Sequence, residues 1–149
     1  MVSRVFSAGL SGIDGYIVTV ECFLSGGLPR LDVVGLPTGA VSEAGERVRA
    51  AAKACAFDWP VSRLTVNLAP ADTKKAGTAY DLPLLLSILA AAGEIDAPPD
   101  NALFFGELSL TGELRPVCGA LSMALAARDA GFKTVFVPAM NAAEASYAS

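Results

Sequence analysis

The chain has 149 residues, 53% of them hydrophobic and 17% charged, with a formal net charge of −4, and it is predicted to form one compact domain over residues 1–149. Histidine is absent, which excludes Ser-His-Asp catalysis, Cys-His catalysis and the HExxH zinc site. The negative charge disfavours a free-standing duplex-binding protein, because such proteins neutralise phosphates with Lys and Arg, but it leaves a local basic patch open.

The first three predicted elements are strands rich in β-branched and aromatic residues. They read "SRVFSAGL", "GYIVTVECFL" and "RLDVVGL", and the turns "SGIDG" and "SGGLP" separate them. Because both connections are short, the segment predicts an antiparallel meander of three neighbouring strands.

The segment "PTGAVSEAGERVRAAAKACAF" has the periodicity of an amphipathic helix that covers a sheet. Glu43 and Arg47 stand four residues apart in the order that favours an ion pair. The apolar face is predicted to carry Val41, Ala44, Val48, Ala51 and Cys55. The opposite, polar face is predicted to carry Glu43, Glu46, Arg47, Arg49 and Lys53.

A fourth strand, "RLTVNLAP", is followed by the polar loop "ADTKKAGTAY" and by the helix "DLPLLLSILAAAGE". This helix is apolar nearly all round, which is typical of a central, buried helix. Asp81 is predicted to be its N-cap, and Pro83 falls in its first turn, where proline is tolerated.

The last third of the chain predicts two strands, "ALFFGELSL" and "GELRPV", joined at "TG". A helix "GALSMALAARDAG", a strand "KTVFVP" and the start of a last helix, "NAAEASYAS", follow. The order βββ-α-β-α-ββ-α-β-α lacks strict alternation, so it predicts the α+β class, a mixed sheet packed with helices.

Two carboxylates, Glu107 and Glu113, flank the turn between these two strands. Paired carboxylates can carry acid–base chemistry. In a strand pair they more often hydrogen-bond turn backbone or pair with an arginine, here Arg115. We therefore favour a structural role for both.

Cys22, Cys55 and Cys118 are widely spaced and form no CxxC pair. This pattern argues against a disulfide framework and against a metal cluster, and it predicts reduced, buried thiols.

The N-terminus has no signal-peptide layout, and the longest apolar run, near residues 82–93, is too short to span a bilayer. We expect a soluble, cytoplasmic protein with no membrane partner.

Two segments, "NLAPADTKKAGTAYDLPLLLSILAA" and "GELSLTGELRPVCGAL" with "GFKTVFVP", resemble the C-terminal protease domain of Lon. This resemblance implies the ribosomal protein S5 domain 2-like fold. "GLPTGAVSEAGERVRAA", "VNLAPADTKKAGTAYDLP" and "GELSLTGELRPV" are similar, more narrowly, to the N-terminal domain of the ComM/YifB proteins, AAA+ ATPases often described as Mg-chelatase subunit ChlI-like. That resemblance covers nearly the whole chain.

The ComM/YifB resemblance implies a longer protein, with an AAA+ module downstream of these residues that binds ATP and Mg²⁺. The chain itself contains no GxxxxGK[ST] motif, so no cofactor is expected in this domain. The resemblance further implies a homohexameric DNA helicase for branch migration during natural transformation, in which this domain is a scaffold.

The Lon resemblance also implies where a catalytic serine and lysine would stand. Ala79 occupies the serine position and Ser122 the lysine position, so both halves of the dyad are absent and no catalytic residue is predicted. A residual Ser/Thr–Lys peptidase stays open as an alternative, in which Thr78 would pair with Lys74 or Lys75.

Basic residues are the candidates for contact with DNA or with a neighbouring subunit. In a ring, Lys74 and Lys75 from each copy would form a basic annulus, since weak phosphate contacts add steeply. Arg47, Arg49 and Lys53 form a second basic strip. Alternatively the two loop lysines are solvated charges without a role, or the domain is an interaction module that binds only proteins.

Overall fold

The computed structural model describes residues 2–70, 75 and 77–149. Eight strands and four helices are defined in this part of the chain. The strands are β1 (Val2–Ser11), β2 (Asp14–Ser25), β3 (Arg30–Val34), β4 (Arg63–Ala69), β5 (Ala102–Phe104), β6 (Glu107–Leu108), β7 (Leu114–Arg115) and β8 (Thr134–Phe136). The helices are α1 (Thr38–Ala54), α2 (Asp81–Ala91), α3 (Ala120–Asp129) and α4 (Ala142–Ser146), and a 3-10 turn spans Ala139–Asn141.

A mixed six-stranded sheet in the order β3-β4-β2-β1-β5-β8 forms the centre of the fold. The predicted α+β class with a mixed sheet is therefore confirmed. The predicted meander is wrong for β3, because β4 lies between β2 and β3. The connection from β3 to β4 contains α1, and such a crossover lets β4 run parallel to β3 while it pairs antiparallel with β2.

The segment "ALFFGELSL" is divided between two sheets. Its first part, β5, joins the six-stranded sheet in parallel pairing with β1 and β8. The chain then leaves this sheet at Gly106, whose N–H donates to the carbonyl of Ala79 and whose carbonyl accepts from Leu82. The predicted hairpin at the "TG" turn is confirmed by β6 and β7, which pair Glu107 with Arg115.

The helices cover the sheet on both faces and create two apolar clusters. One cluster packs α1 and α2 against β1, β2 and β4, and the other packs α3 against β1 and β5. Eight of the eleven residues of α2 are buried and the other three are half-buried, as its all-round apolarity predicts. Each fully buried aliphatic side chain of this kind contributes about 1.5–3 kcal/mol.

The buried face of α1 follows the predicted pattern at Ala44, Val48 and Ala51. Cys55 departs from it, because the helix ends at Ala54 and the thiol lies exposed at the C-cap. Cys118 is exposed as well, so the prediction of buried thiols is correct for Cys22 alone. Burial raises the pKa of the Cys22 thiol to about 11.

In the part of the chain that the structure describes, no helix combines the length and apolarity needed to cross a membrane.

Candidate functional site

A cleft of about 500 Å³ lies between the segment that leads into α2 and the segment that leads into α3. We call residues 77–80 its first wall and residues 116–118 its second wall. Gly9 and Leu10 of β1 and Met123 of α3 complete it. The described lining residues are Gly9, Leu10, Gly77, Thr78, Ala79, Tyr80, Glu107, Pro116, Val117, Cys118 and Met123.

Ala79, at the predicted nucleophile position, lines this cleft. Its backbone carbonyl accepts the N–H of Gly106 at 2.9 Å, and the neighbouring Thr78 carbonyl accepts the N–H of Asp81 at 3.2 Å. These backbone hydrogen bonds hold residue 79 in place, and its methyl group packs against the apolar cluster around α3. A methyl group cannot attack a carbonyl carbon, so the cleft has no nucleophile at this position.

Ser122, at the predicted base position, does not line the cleft but a separate hollow beside Gly15 and Asp129. Successive residues of an α-helix point about 100° apart, and α3 directs the adjacent Met123 into the cleft instead. The structure thus does not bring positions 79 and 122 to one cavity.

Asp81 has a different role from the predicted N-cap. Tyr80 occupies the N-cap position, and the helix start has no side-chain cap. The Asp81 carboxylate is 1% exposed and accepts hydrogen bonds from Arg47 Nε at 2.6 Å, Arg47 Nη2 at 3.0 Å and the Leu108 N–H at 3.0 Å. We call these three residues the Asp81 anchor, which joins α1, α2 and β6 directly behind the first wall.

Burial and hydrogen bonding shift the pKa of the Asp81 carboxyl group in opposite directions. Burial raises the pKa of Asp81, while the hydrogen bonds from Arg47 and Leu108 oppose that rise. The hydrogen bonding of Arg47 to the Asp81 carboxylate, in which the guanidinium donates, raises the pKa of Arg47. The Arg47 side chain is 22% exposed and paired with Asp81, so it is less accessible than the other two members of the predicted basic strip, Arg49 and Lys53, which are exposed.

The remaining basic candidates lie in different environments. Lys75 is 1% exposed, and its ammonium donates a hydrogen bond to the Pro70 carbonyl, so the prediction of a solvated loop lysine is wrong for this residue. Lys74 lies outside the described residues. Arg49 and Lys53 are exposed on α1, and the Arg49 guanidinium lies 5.5 Å from the centroid of the Trp59 ring.

Two tyrosine side chains, Tyr16 and Tyr80, lie close to the backbone of Gly9, which lines the cleft. A Cβ atom at position 9 would lie 2.1 Å from the Tyr80 hydroxyl oxygen and 3.0 Å from that of Tyr16. Glycine is therefore required for this close approach. Burial, supported by the Tyr16 hydroxyl, raises the pKa of Tyr80, so its phenol stays neutral at physiological pH.

A second polar contact holds the other wall. Asn141 is 5% exposed; its Oδ1 accepts the Val117 N–H at 2.9 Å and its Nδ2 donates to the Val117 carbonyl at 3.0 Å. We call Asn141 and Val117 the Asn141 anchor. Nearby, Glu144 accepts the Leu121 N–H at 2.9 Å and so caps the start of α3. The sequence carries no local signal for these contacts, since each joins residues more than twenty positions apart.

Glu107 lies half-buried at the cleft, and Glu113 is exposed on the hairpin. Although Arg115 stands opposite Glu107 in the strand register, the ion pairs found among the described residues include neither carboxylate. Pairing with Arg115, one of the two structural roles that the sequence left open, is therefore not found among the described residues. The turn is held instead by the Ser109 hydroxyl, which accepts the Glu113 N–H at 3.0 Å.

The fold and the cleft together define a class: an α+β domain with a surface cleft and, among the described lining residues, no lysine to serve as the base of a Ser/Thr–Lys mechanism. Within the same described ranges, no cluster of three potential metal-ligating side chains occurs.

The chain belongs to the family described as "Subunit ChlI of Mg-chelatase", which matches residues 20–141. It is similar to the competence protein ComM of Haemophilus influenzae, with 42% identity over 146 residues, 97% of this chain and 28% of that protein. An uncharacterized protein of Mycobacterium tuberculosis is 44% identical over 146 residues, 97% of this chain and 29% of its own length. The protein YifB of Escherichia coli is 42% identical over 135 residues, 90% of this chain and 27% of that protein. The chain thus spans less than a third of each of these relatives.

A more distant likeness joins the chain to Lon. A mitochondrial Lon protease homolog of Caenorhabditis briggsae is 36% identical over 80 residues, 54% of this chain and 8% of that protein. The predicted resemblance to the ComM/YifB proteins, and distantly to Lon, is confirmed by these matches.

Proposed function

We propose that this chain is the non-proteolytic, Lon-like N-terminal domain of a ComM/YifB-type AAA+ ATPase, with a ribosomal protein S5 domain 2-like fold. In this proposal the longer protein is a homohexameric DNA helicase for branch migration in natural transformation. Its ATP and Mg²⁺ bind in the AAA+ module downstream, and this domain is an assembly scaffold and an element of the DNA path. The observation that carries the non-proteolytic role is Ala79, a methyl group at the nucleophile position of a formed cleft.

The buried Lys75 gives the peptidase alternative a specific test, since a desolvated lysine is a better base than a solvated one. Its ammonium is directed to the Pro70 carbonyl, and the residue does not line the cleft that Thr78 lines. We therefore expect no reaction with a fluorophosphonate probe and no digestion of casein. Labelling of the native chain that is lost in Thr78→Val would establish the peptidase instead.

The DNA-path role now rests on fewer residues than the sequence predicts. Arg47 donates hydrogen bonds to Asp81, and Lys75 is buried. The remaining candidates for contact with DNA are therefore Lys74 and the exposed pair Arg49 and Lys53. In a ring, each of these charges recurs in every copy. Modest phosphate contacts then add, because each one releases condensed counterions. The H. influenzae relative's name, a competence protein, agrees with a task involving DNA.

The test measures binding of forked DNA to the full-length protein over a range of salt concentrations. The Arg49→Glu/Lys53→Glu and Lys74→Glu variants are expected to weaken binding and to flatten its salt dependence, by a slope of about one for each lost phosphate contact. The matched control is Arg115→Glu/Lys133→Glu, which changes the net charge as much as the double variant but at two other exposed sites. Equal binding by all variants would support a module that binds only proteins.

A further inference from the structure

The two walls of the cleft are held by side chains, Asp81 and Asn141, that are not among its described lining residues. Asp81 fixes the end of the first wall through Arg47 and Leu108. Asn141 fixes the second wall through both backbone polar groups of Val117. Both anchoring side chains are almost completely buried. A cleft fixed in this way is preorganised, so a ligand binds without the cost of ordering its walls.

The charge of the cleft defines which ligands fit. Among its described lining residues, Glu107 is the only one with a formal charge, and no arginine or lysine accompanies it. The rest of the lining is apolar or neutral, and its accessible apolar surface includes Leu10, Pro116 and Val117. A phosphate backbone is disfavoured here because it would meet a carboxylate, whereas a cationic group would be attracted.

We propose that this cleft binds an extended peptide segment through a basic side chain that pairs with Glu107. Apolar side chains on either side of the basic residue would contact Leu10, Pro116 and Val117. The volume of about 500 Å³ is within the usual range of ligand pockets and accommodates a few side chains. The two walls come from separate segments of the chain that border one cleft, so an extended chain bound there can contact both. This inference goes beyond the DNA-path role and is independent of it.

Three fluorescein-labelled heptapeptides, Ser-Ala-Leu-X-Leu-Ala-Ser with X as arginine, glutamine or glutamate, test the proposal by fluorescence anisotropy. The arginine peptide is expected to bind about three- to fivefold more tightly than the glutamine peptide, and the glutamate peptide most weakly. Glu107→Gln is expected to abolish the preference for arginine. Glu113→Gln removes the same charge from an exposed site on the hairpin and is expected to keep that preference.

Reversible chemical modification of a cysteine in the cleft tests whether the peptide binds there or elsewhere on the protein. Cys118 lines the cleft and is exposed, and Cys22 is buried, so in a Cys55→Ser variant Ellman's reagent modifies Cys118 selectively. The adduct is expected to abolish arginine-peptide binding, and dithiothreitol is expected to restore it, which excludes unfolding as the cause. Unchanged binding by the adduct, an equal loss of preference in Glu113→Gln, or competition by a single-stranded oligonucleotide at equal affinity would each overturn the proposal.

Discussion

The two walls of the cleft are held in physically different ways. The Asp81 anchor is charged and joins three elements, so its carboxylate depends on a guanidinium from another helix. The Asn141 anchor is neutral, and one amide group supplies both the acceptor and the donor that Val117 needs. A buried charge that loses its partner costs far more than a buried amide that loses one. The first wall is therefore the more vulnerable to a single substitution.

The largest expected effect is the loss of the Arg47 guanidinium. Arg47→Met keeps much of the aliphatic packing but leaves the Asp81 carboxylate buried without its partner, and it is expected to lower the free energy of unfolding by about 3–5 kcal/mol. Urea denaturation measures this loss. In the Asp81→Asn background the same substitution is expected to cost much less, since no charge is left unpaired. An equal cost in both backgrounds would contradict the ionic nature of the anchor.

The pH dependence of Arg47→Met sharpens the same prediction. Burial raises the pKa of Asp81, and Arg47 opposes that rise, so removal of Arg47 raises the folded-state pKa further. The folded state then binds a proton more tightly than the unfolded chain, and this stabilisation is present in acid and lost as the pH rises through the folded-state pKa. The cost of Arg47→Met is therefore expected to be smaller at pH 5 than at pH 8. The same cost at both pH values would show that the effect is not electrostatic.

The second effect concerns the neutral anchor. Asn141→Ala leaves the N–H and the carbonyl of Val117 without their side-chain partners and is expected to cost about 1–3 kcal/mol in urea denaturation. Asn141→Asp keeps an acceptor for the Val117 N–H but places an unpaired carboxylate in a buried site against the Val117 carbonyl, so at neutral pH it is expected to cost at least as much as Asn141→Ala. Hydrogen exchange at the Val117 amide provides the local measurement. Unchanged protection in Asn141→Ala would show that another group holds the second wall.

A third and smaller effect is expected at the start of α3. Glu144→Gln keeps an oxygen that can accept the Leu121 N–H but removes the negative charge that favours a helix N-terminus. Because Glu144 is exposed, the expected loss is about 0.3 kcal/mol, at the lower end of such effects, and it should fade at high salt. A loss that persists at high salt would identify the hydrogen bond, and not the charge, as the source of the stabilisation.

The smallest expected quantity is the coupling between the two anchors. They share no residue, so the costs of Arg47→Met and Asn141→Ala are expected to add within about 0.5 kcal/mol in a double-mutant cycle. A larger coupling energy would indicate that the two walls form one cooperative unit rather than two independently held segments.

Local pattern predicted the elements of this fold well, because the periodicity of α1 and the apolarity of α2 are properties of single segments. Pairing over long distances was not predictable in the same way. The place of β3 beside β4 depends on a crossover that contains α1. Asp81 had the sequence context of a cap, but Arg47, from an earlier helix, provides a stronger partner.

The candidate site was predicted in part. The loop before α2 was recognised, and Ala79 does line a cleft. Ser122 does not, because a shift of one position on a helix turns a side chain to another face. The second wall was missed entirely, since Asn141 lies 24 positions from Val117 and nothing near either residue marks the contact.

The way in which residue 79 is held has a consequence for engineering of the cleft. Its carbonyl accepts a hydrogen bond from the Gly106 N–H, and its side chain takes no part in either anchor. The side chain at position 79 can therefore be changed without loss of the backbone hydrogen bonds that hold the first wall. A serine introduced there would add a hydroxyl group to a cleft whose two walls are already in place.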